Sequence, residues 1–382
     1  MKSILFLIAY LGLSLQFYFP QNIKVRIIDS EENKPLQNVR IMSDNVMLYS
    51  NDDGEVELKN DKKPLNIFAQ GYEELTLESL TPIIKLKPLY KDIEEVKISK
   101  IDIRQMFQNA LKDYLSIYYS KPSLYQSTIK QKGYIDGKMI NLLIANIDIW
   151  ALTNAYNFKA QDNVDSFVQI GFNNIKYFKT KVSSNDYPFN TDIQITPKNF
   201  IQKLFFNSEI IGFLNDTKNS VFVSKILSEN QNIQIIYFET KDEINTYKGK
   251  FTYSKTDKVI SSFDLYITNM SQSFKNKNKR GEAYEGVATS NNIKYDFYKK
   301  DGKYLPALVY TEIKGYALYK EKKYPVSFIQ EINFQKFLES DKKGLKNKID
   351  LNKNLTENIA NKEIKENNTL LSKEEQKFID EP

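Results

Sequence analysis

The chain has 382 residues, enough for two domains that each bury a core. It contains no cysteine and no histidine, which excludes disulfides, Ser-His-Asp triads and the usual zinc sites. The net charge is +6, but nearly all the basic residues are lysine and 48 acidic residues are interspersed, so we do not expect nucleic-acid binding. Catalysis would have to rest on carboxylates, lysine or tyrosine, and we predict no enzymatic activity, metal or cofactor.

The N-terminus has the pattern of an export signal. Lys2 precedes an unbroken apolar run over residues 4–13, which is short for a bilayer span and fits the central region of a signal peptide. Cleavage follows Ser14 or lies nearer Gln21, and an uncleaved anchor or a buried strand are alternatives. We predict that residues 1–21 are a signal peptide and that the protein is periplasmic or associated with the outer membrane. No later stretch is apolar enough to cross a membrane as a helix.

Residues 22–88 are predicted to form a small β-sandwich. Short apolar runs that alternate with polar residues follow one another, with turn residues such as Asn51-Asp52-Asp53-Gly54 between them. About seven short strands in fewer than 70 residues are typical of a sandwich and leave no room for a substantial helix. The predicted strands include residues 23–27, 39–42, 56–58, 65–69, 75–77 and 83–86.

An ordered set of residues in this region is similar to a known family. Lys34-Pro35-Leu36, Val39, the Asp52-Asp53-Gly54 turn and Gly71-Tyr72 resemble the carboxypeptidase regulatory-like domain, a transthyretin-like sandwich common in exported proteins of Bacteroidota. In metallocarboxypeptidases this module accompanies a zinc peptidase domain whose ligands include histidine. This chain has no histidine, so the resemblance implies a folding and interaction module outside the cytoplasm, without peptidase activity.

Asp52 and Asp53, with Asp44 nearby, also suggest a calcium loop as an alternative. Such a loop needs several oxygen ligands at regular spacing, and residues 51–55 supply that spacing only in part. A tight turn with Gly54 at positive φ explains the same residues. We predict a turn without metal.

Residues 89–337 are predicted to form a larger antiparallel β domain with a helix at 103–119. Apolar residues from Ile103 to Tyr118 repeat at helical spacing on one face, Asp102 is placed as the N-cap, and Lys121-Pro122 marks the end. A second short helix is expected at 197–206. Asp136-Gly137 and Asp301-Gly302 are strong hairpin signals. The predicted strands are 127–134, 139–150, 233–238, 248–253, 259–268, 293–298, 304–319 and 324–334.

The expected architecture is one long helix packed on a large, curved antiparallel sheet. Residues 247–251 and 258–260 resemble the strand-turn-strand unit of periplasmic lipoprotein-carrier-like half-barrels, a resemblance that transfers no site residues. It implies an apolar ligand groove lined by Phe and Tyr. The alternative, which the sequence favours, is that these aromatic residues fill the core beneath the helix.

Two polar segments complete the chain. Residues 273–281 are the sharpest basic cluster, either a solvated loop or a contact for anionic lipid or polysaccharide. Residues 338–382 are poor in aromatic residues and predicted to be a polar, disordered tail. Within this tail, Ser372 and Glu375 form a capping-box pattern, which predicts a short helix that docks on the body or on a partner.

We therefore predict a non-catalytic structural or interaction protein of the cell envelope, with an envelope protein, glycan or lipid as its partner. The alternative is a periplasmic carrier that holds an apolar or glycan ligand in the curved sheet. Catalytic, cofactor and metal residues are predicted to be absent. An enzyme would need two acids close together in a cleft, and Glu282, Glu285 and Asp296 are the only remotely placed candidates.

Overall fold

A computed structural model describes residues 22–43, 46–59, 64–90, 101–181, 187–189, 201–278, 280–341, 343–353, 355–359 and 369–381. The predicted signal peptide and Asp44 lie outside the described residues. The fold is mainly β, with a small two-sheet unit followed by a large antiparallel sheet, as the sequence predicts.

The first seven strands form the small sandwich. One sheet has the order β4-β1-β7 and the other β3-β2-β5-β6, and β1 runs antiparallel to β4 but parallel to β7. Alternating apolar residues such as Val25 and Ile27 fill the space between the sheets. Six of the strands were predicted, and β3 was not. The bounds are β1 Asn22–Asp29, β2 Arg40–Ser43, β3 Val46–Tyr49, β4 Glu55–Lys59, β5 Leu65–Phe68, β6 Leu75–Leu77 and β7 Ile83–Leu86.

The remaining strands form one antiparallel sheet of ten strands in the order β10-β9-β8-β17-β16-β15-β14-β13-β12-β11. Most neighbours in this sheet are neighbours in sequence, and the first and last segments meet where β8 pairs with β17. The bounds are β8 Ser123–Ile135, β9 Lys138–Ala151, β10 Val168–Thr180, β11 Val223–Glu229, β12 Ile233–Lys241, β13 Thr246–Ser254, β14 Val259–Lys277, β15 Ala283–Lys300, β16 Lys303–Tyr319 and β17 Lys322–Glu339.

Both hairpins predicted from Asp-Gly pairs are confirmed. Asp136 and Gly137 have φ values of 50° and 74°, and Asp301 and Gly302 have the same values. Positive φ at both central residues is the requirement of the type I′ turn, whose twist matches that of the flanking strands. These two turns fix the β8–β9 and β15–β16 registers.

Two helical segments cover one face of the large sheet, which we call the helix face. The first comprises α1, Ile103–Lys112, and α2, Tyr114–Ile117, and Asp102 caps α1 by accepting the Gln105 N–H at 2.9 Å. The second is α3, Phe206–Asp216. The Phe107 ring lies between the two segments and the sheet, with centroids 5.5 Å from Phe213 and 5.2 Å from Phe251.

The prediction of one long helix at 103–119 is therefore wrong in detail, because the segment breaks at Asp113 and the second helix α3 shares the helix face. Of the short helix expected at 197–206, residues 197–200 lie outside the described residues and 201–203 are helical. The longer α3 that follows was not predicted.

The small sandwich lies against the opposite face of the large sheet, which we call the sandwich face. The Tyr49 hydroxyl reaches the carbonyl oxygens of Ala307 and Phe334 at 2.7 and 3.0 Å. Arg40 of β2 forms a buried ion pair with Asp296 of β15. The large sheet is thus covered on both faces by different parts of the chain.

The C-terminal segment also packs on the body. Residues 343–353 contact β10, where the Ile349 N–H donates to the Ile170 carbonyl at 2.7 Å. After α4, Leu355–Ile359, the helix α5, Lys373–Asp380, begins at Ser372 with both hydrogen bonds of the capping box in place. Its Glu375 is fully buried against Lys130 of β8 at 2.7 Å. Composition alone favours disorder for this tail, but these described parts are held by the sheet, and α5 docks on the body.

Candidate ligand groove

A groove of about 650 Å³ lies on the helix face, between α3 and strands β13 to β17. Its volume is within the range of small-molecule binding sites. About half of the lining side chains are apolar, and Gly212 contributes backbone. The apolar side chains are Phe213, Tyr247, Leu265, Ile267, Met270, Phe274, Ala288, Ile293, Ile313 and Phe328, and the polar ones are Gln202, Lys203, Ser208, Glu209, Asp216, Gln272, Asn291, Thr311 and Gln330.

Strand register explains why the floor is mostly apolar. Side chains alternate between the two faces of a sheet, so residues paired across neighbouring strands share a face. One cross-strand row runs through Leu265, Ile293, Thr311 and Gln330, and the next row on the same face through Ile267, Asn291, Ile313 and Phe328. Ile313 remains 38% exposed at the groove floor.

Helix α3 forms one wall because its apolar stripe faces the core. Phe206, Ile210 and Phe213 recur at i, i+4 and i+7 and are all buried. This spacing turns Glu209, Gly212 and Asp216 towards the groove. The same spacing is visible in the sequence and could have predicted α3, but the proline at 197 placed the expected helix too early.

The aromatic residues serve both of the roles that the sequence left open. Phe107, Phe238, Phe251 and Phe263 are fully buried beneath the helices. Phe213 and Tyr247 belong to the same core and also border the groove, which Phe328 and Phe274 line as well. The Phe274 ring lies over Gly286, where a Cβ atom would come within 2.2 Å of it, and is 58% exposed.

The floor contains polar groups that the fold does not satisfy. Thr311 is 7% exposed and its hydroxyl oxygen has no hydrogen-bond partner among the described residues. The side-chain oxygen of Asn291, in the next row, also has no hydrogen-bond partner among the described residues. Gln330, by contrast, accepts a hydrogen bond from Gln131 at 2.8 Å. Buried polar atoms without partners are rare and call for an explanation.

Acidic groups gather at the α3 end of the groove. Lys203 pairs with Glu209 at 2.7 Å, and the Tyr247 hydroxyl donates to Asp242 at 2.8 Å. Burial, with help from the charges of Asp242 and Glu209, raises the pKa of Asp216 above its ordinary value, and Lys203 opposes the shift. This end of the groove therefore carries more negative than positive charge.

The three candidate acids are not brought together. Asp296 is buried on the sandwich face with Arg40, and burial raises its pKa to about 6. Glu285 lies eleven positions earlier on the same strand, a separation of about 36 Å at the rise of an extended strand. Glu282 accepts a hydrogen bond from Asn278 at 2.9 Å, and its contacts lower its pKa to about 2. None of the three lines the groove.

The acidic turn of the sandwich is engaged with the body. Asp52 pairs with Lys132 of β8 at 2.5 Å, and the Asp53 carboxylate accepts the Lys373 N–H at 2.7 Å. Gly54 has a φ of 74°, as the predicted tight turn requires. Within the described part of the chain, no cluster of three or more acidic side chains is arranged to hold a metal ion.

The basic cluster at 273–281 lies at the β14–β15 hairpin end. Residues 273–277 belong to β14 and are exposed. The Asn278 side chain accepts the Glu282 N–H at 2.9 Å and so closes the connection to β15. Lys279 lies outside the described residues.

No protein-family model matches the chain, and no curated protein matches it. Two solved structures are similar to it. A LolA superfamily protein from Nitrosomonas europaea is 9% identical, with 63% of this chain and 94% of that chain covered and a TM-score of 0.22. A presumed membrane-associated protein of unknown function from Bacteroides fragilis is 6% identical, with 83% and 97% covered and a TM-score of 0.15. TM-scores this low support no conclusion about this chain.

Proposed function

We propose that this protein is a non-catalytic carrier that binds an apolar or amphipathic small molecule in the groove. The observation that supports this is the groove itself, in which Ile267, Ile313 and Phe274 offer accessible apolar surface and α3 forms one wall. Burying apolar ligand surface there would contribute about 25 cal/mol per Å² removed from water. The groove borders the packed core, which contributes Phe213 and Tyr247 to its lining.

The carrier is preferred over the structural or interaction protein that the sequence placed first. A scaffold would be favoured by a filled sheet with a flat exposed patch, whereas here the exposed apolar side chains Ile313 and Phe274 line a groove. The sandwich and α5 cover the opposite face, and we assign to the sandwich, as a carboxypeptidase regulatory-like module, the contact with an envelope partner.

We place the carrier in the cell envelope. The apolar run at 4–13 supports export, and a groove for amphipathic molecules suits a compartment next to membranes. Among the residues that the structure describes, none of the helices has the length and hydrophobicity needed to span a bilayer.

The proposal is tested with an uncharged dye whose fluorescence rises in apolar surroundings. The full chain should bind it at a single saturable site, and Ile313→Glu, which puts a charge on the groove floor, should weaken binding about tenfold or more. Ile83→Glu is the matched control, because Ile83 is 53% exposed on the sandwich and lies outside the groove. Equal binding by both variants, or no saturable binding by the wild type, would refute the carrier.

A further inference from the structure

Two neighbouring hairpins of the large sheet, β14–β15 and β16–β17, end together. Strands β15 and β16 pair with each other up to the two turns, and Lys320 of one turn reaches Glu282 of the other at 3.3 Å. The two turns therefore lie side by side. We call residues 273–285 and 318–323 the hairpin end.

Most of the net charge of the protein is concentrated at the hairpin end. Its sequence has seven basic and three acidic residues, a net charge of +4 out of +6 for the whole chain. All of the basic side chains there that the structure describes are exposed. The basic residues are Lys275, Lys277, Lys279, Arg280, Lys320, Lys322 and Lys323.

Protection of a sheet edge explains part of this charge. The pairing of β13 with β14 ends at Thr268, so residues 269–277 have no strand partner on that side among the described residues. Lysines on such an edge hinder pairing with other chains. Edge protection does not explain Phe274, which lies next to Lys275 on the same edge and is 58% exposed. An exposed aromatic side chain among lysines points to a contact surface.

Phe274 also connects the hairpin end to the groove. Its ring lines the groove together with Met270 and Ile313, and the residue belongs to the same strand as the exposed lysines. One end of the groove therefore borders the hairpin end. Lysines around an apolar side chain suit a bilayer surface, because the ammonium groups attract anionic headgroups while the ring enters the boundary with the acyl chains.

We propose that the hairpin end docks on a lipid bilayer with anionic headgroups, with its lysines at the lipid phosphates and Phe274 at the acyl boundary. Only one of the seven basic residues is arginine, and lysine acts as a point charge without a fixed geometry, which suits a diffuse surface of headgroups. Docking goes beyond the proposed carrier function and does not depend on it. For a carrier, it would bring one end of the groove to a membrane.

Co-sedimentation of the full chain with vesicles tests the docking. One set of vesicles is phosphatidylcholine alone, and the other contains about one-third phosphatidylglycerol. We expect half-maximal binding to the anionic vesicles at a lipid concentration about tenfold or more lower than for phosphatidylcholine, with the difference shrinking as salt is raised.

A triple variant removes the charge that the proposal uses. Lys275→Gln/Lys322→Gln/Lys323→Gln should weaken binding to the anionic vesicles about tenfold or more, because each lysine near such a surface contributes about 1 kcal/mol. A melting temperature equal to that of the wild type shows that this variant is folded.

Lys85→Gln/Lys121→Gln/Lys159→Gln is the matched control. It makes the same change in net charge at three exposed lysines outside the hairpin end, and it keeps the apolar run at residues 4–13. We expect it to bind the anionic vesicles like the wild type. Equal weakening in the two triple variants would show that only the net charge matters, and the docking surface would be wrong.

Phe274→Trp separates a bilayer from an anionic polysaccharide. Relative to the wild type, its added fluorescence should shift to shorter wavelength with anionic vesicles and stay unchanged with dextran sulfate. If dextran sulfate binds as tightly as the vesicles and the vesicles cause no shift, the partner is a polysaccharide and the bilayer proposal is wrong. A wild type that binds the uncharged dye without preferring anionic vesicles would refute the docking alone, and one that docks without binding the dye would refute the carrier alone.

Discussion

Arg40 and Asp296 connect the two β units through one buried ion pair. The Arg40 guanidinium also lies 4.4 Å from the centre of the Phe68 ring, so it is fixed by the sandwich as well as by the large sheet. Both side chains are about nine-tenths buried, and one Asp296 oxygen has no hydrogen-bond partner in the described part of the chain. Such a pair is costly to desolvate, so we expect its main effect to be on how the two units meet and not on net stability.

Removing one partner should therefore cost more than removing both. We expect Arg40→Met and Asp296→Leu each to lower the free energy of unfolding by about 3–5 kcal/mol, because each leaves a buried charge unpaired. The double variant should recover most of that loss. Urea unfolding of the wild type, the two single variants and the double variant gives the four free energies of unfolding that this comparison needs. Additive losses in the double variant would show that the two side chains do not act as a pair.

The same carboxyl predicts a pH dependence. Burial raises the pKa of Asp296 to about 6 from an ordinary value of 3.8, so the folded state holds this proton more tightly than the unfolded state. The contribution of Asp296 to stability is then present below about pH 4 and is lost as the pH rises through 6, by at most roughly 3 kcal/mol. The wild type should lose stability relative to the Arg40→Met/Asp296→Leu variant over this window. If the free energy of unfolding of the wild type minus that of the double variant stays constant or increases with pH, the assignment is contradicted.

Among the elements, α5 joins three parts of the molecule. Its Glu375 faces Lys130 and Lys132 of β8, and Lys132 also pairs with Asp52 of the sandwich turn. Glu331 of β17 is buried in the same cluster, where desolvation raises its pKa. On the other side of the helix, Phe378 packs on Leu142 and Ile144 of β9. The helix therefore fastens the sandwich turn to the large sheet.

We expect Glu375→Gln to destabilise the protein by several kcal/mol, because it leaves the lysines with one counter-charge fewer in a buried site. Hydrogen exchange should quicken at residues 51–54 and in α5 before it does in the β15–β16 hairpin. Glu374→Gln is the control, because its carboxylate reaches the Tyr134 hydroxyl at 3.0 Å at the surface. Similar protection of residues 51–54 in both variants would show that α5 does not hold the turn.

The elements also show how far the sequence leads. Asp136-Gly137 and Asp301-Gly302 were sufficient for two hairpins, because a two-residue turn with positive φ is a local requirement. Capping is equally local, and Asp102 and Ser372 begin their helices as predicted. The sequence left open whether α5 docks on the body or on a partner, since its burial on the body depends on Lys130 and Lys132, more than 200 positions away in sequence.

The groove shows the same limit. Its floor is set by the registers between four strands, and each register depends on turns and bulges that no single segment determines. The apolar alternation of those strands was visible, but which positions a helix would cover was not. The expectation of Phe and Tyr in a groove came from a family resemblance and was weighed against a packed core. The structure contains both.

For the whole molecule, the arrangement divides the two faces of the large sheet between different tasks. On the sandwich face, buried ion pairs join the large sheet to the sandwich and to α5. The helix face holds the aromatic core and the groove beside it. A carrier of this design keeps its ligand on one face and its partner contacts on the other. We therefore expect substitutions on the sandwich to leave ligand binding unchanged.

Native mass spectrometry of the full chain, purified gently from its own envelope fraction, tests the carrier function most directly. The carrier predicts a reproducible added mass that is lost on denaturation and passes into organic solvent, and Ile313→Glu should lack it while Ile83→Glu retains it. A wild-type protein that shows only the mass of its own polypeptide under these conditions would contradict the carrier.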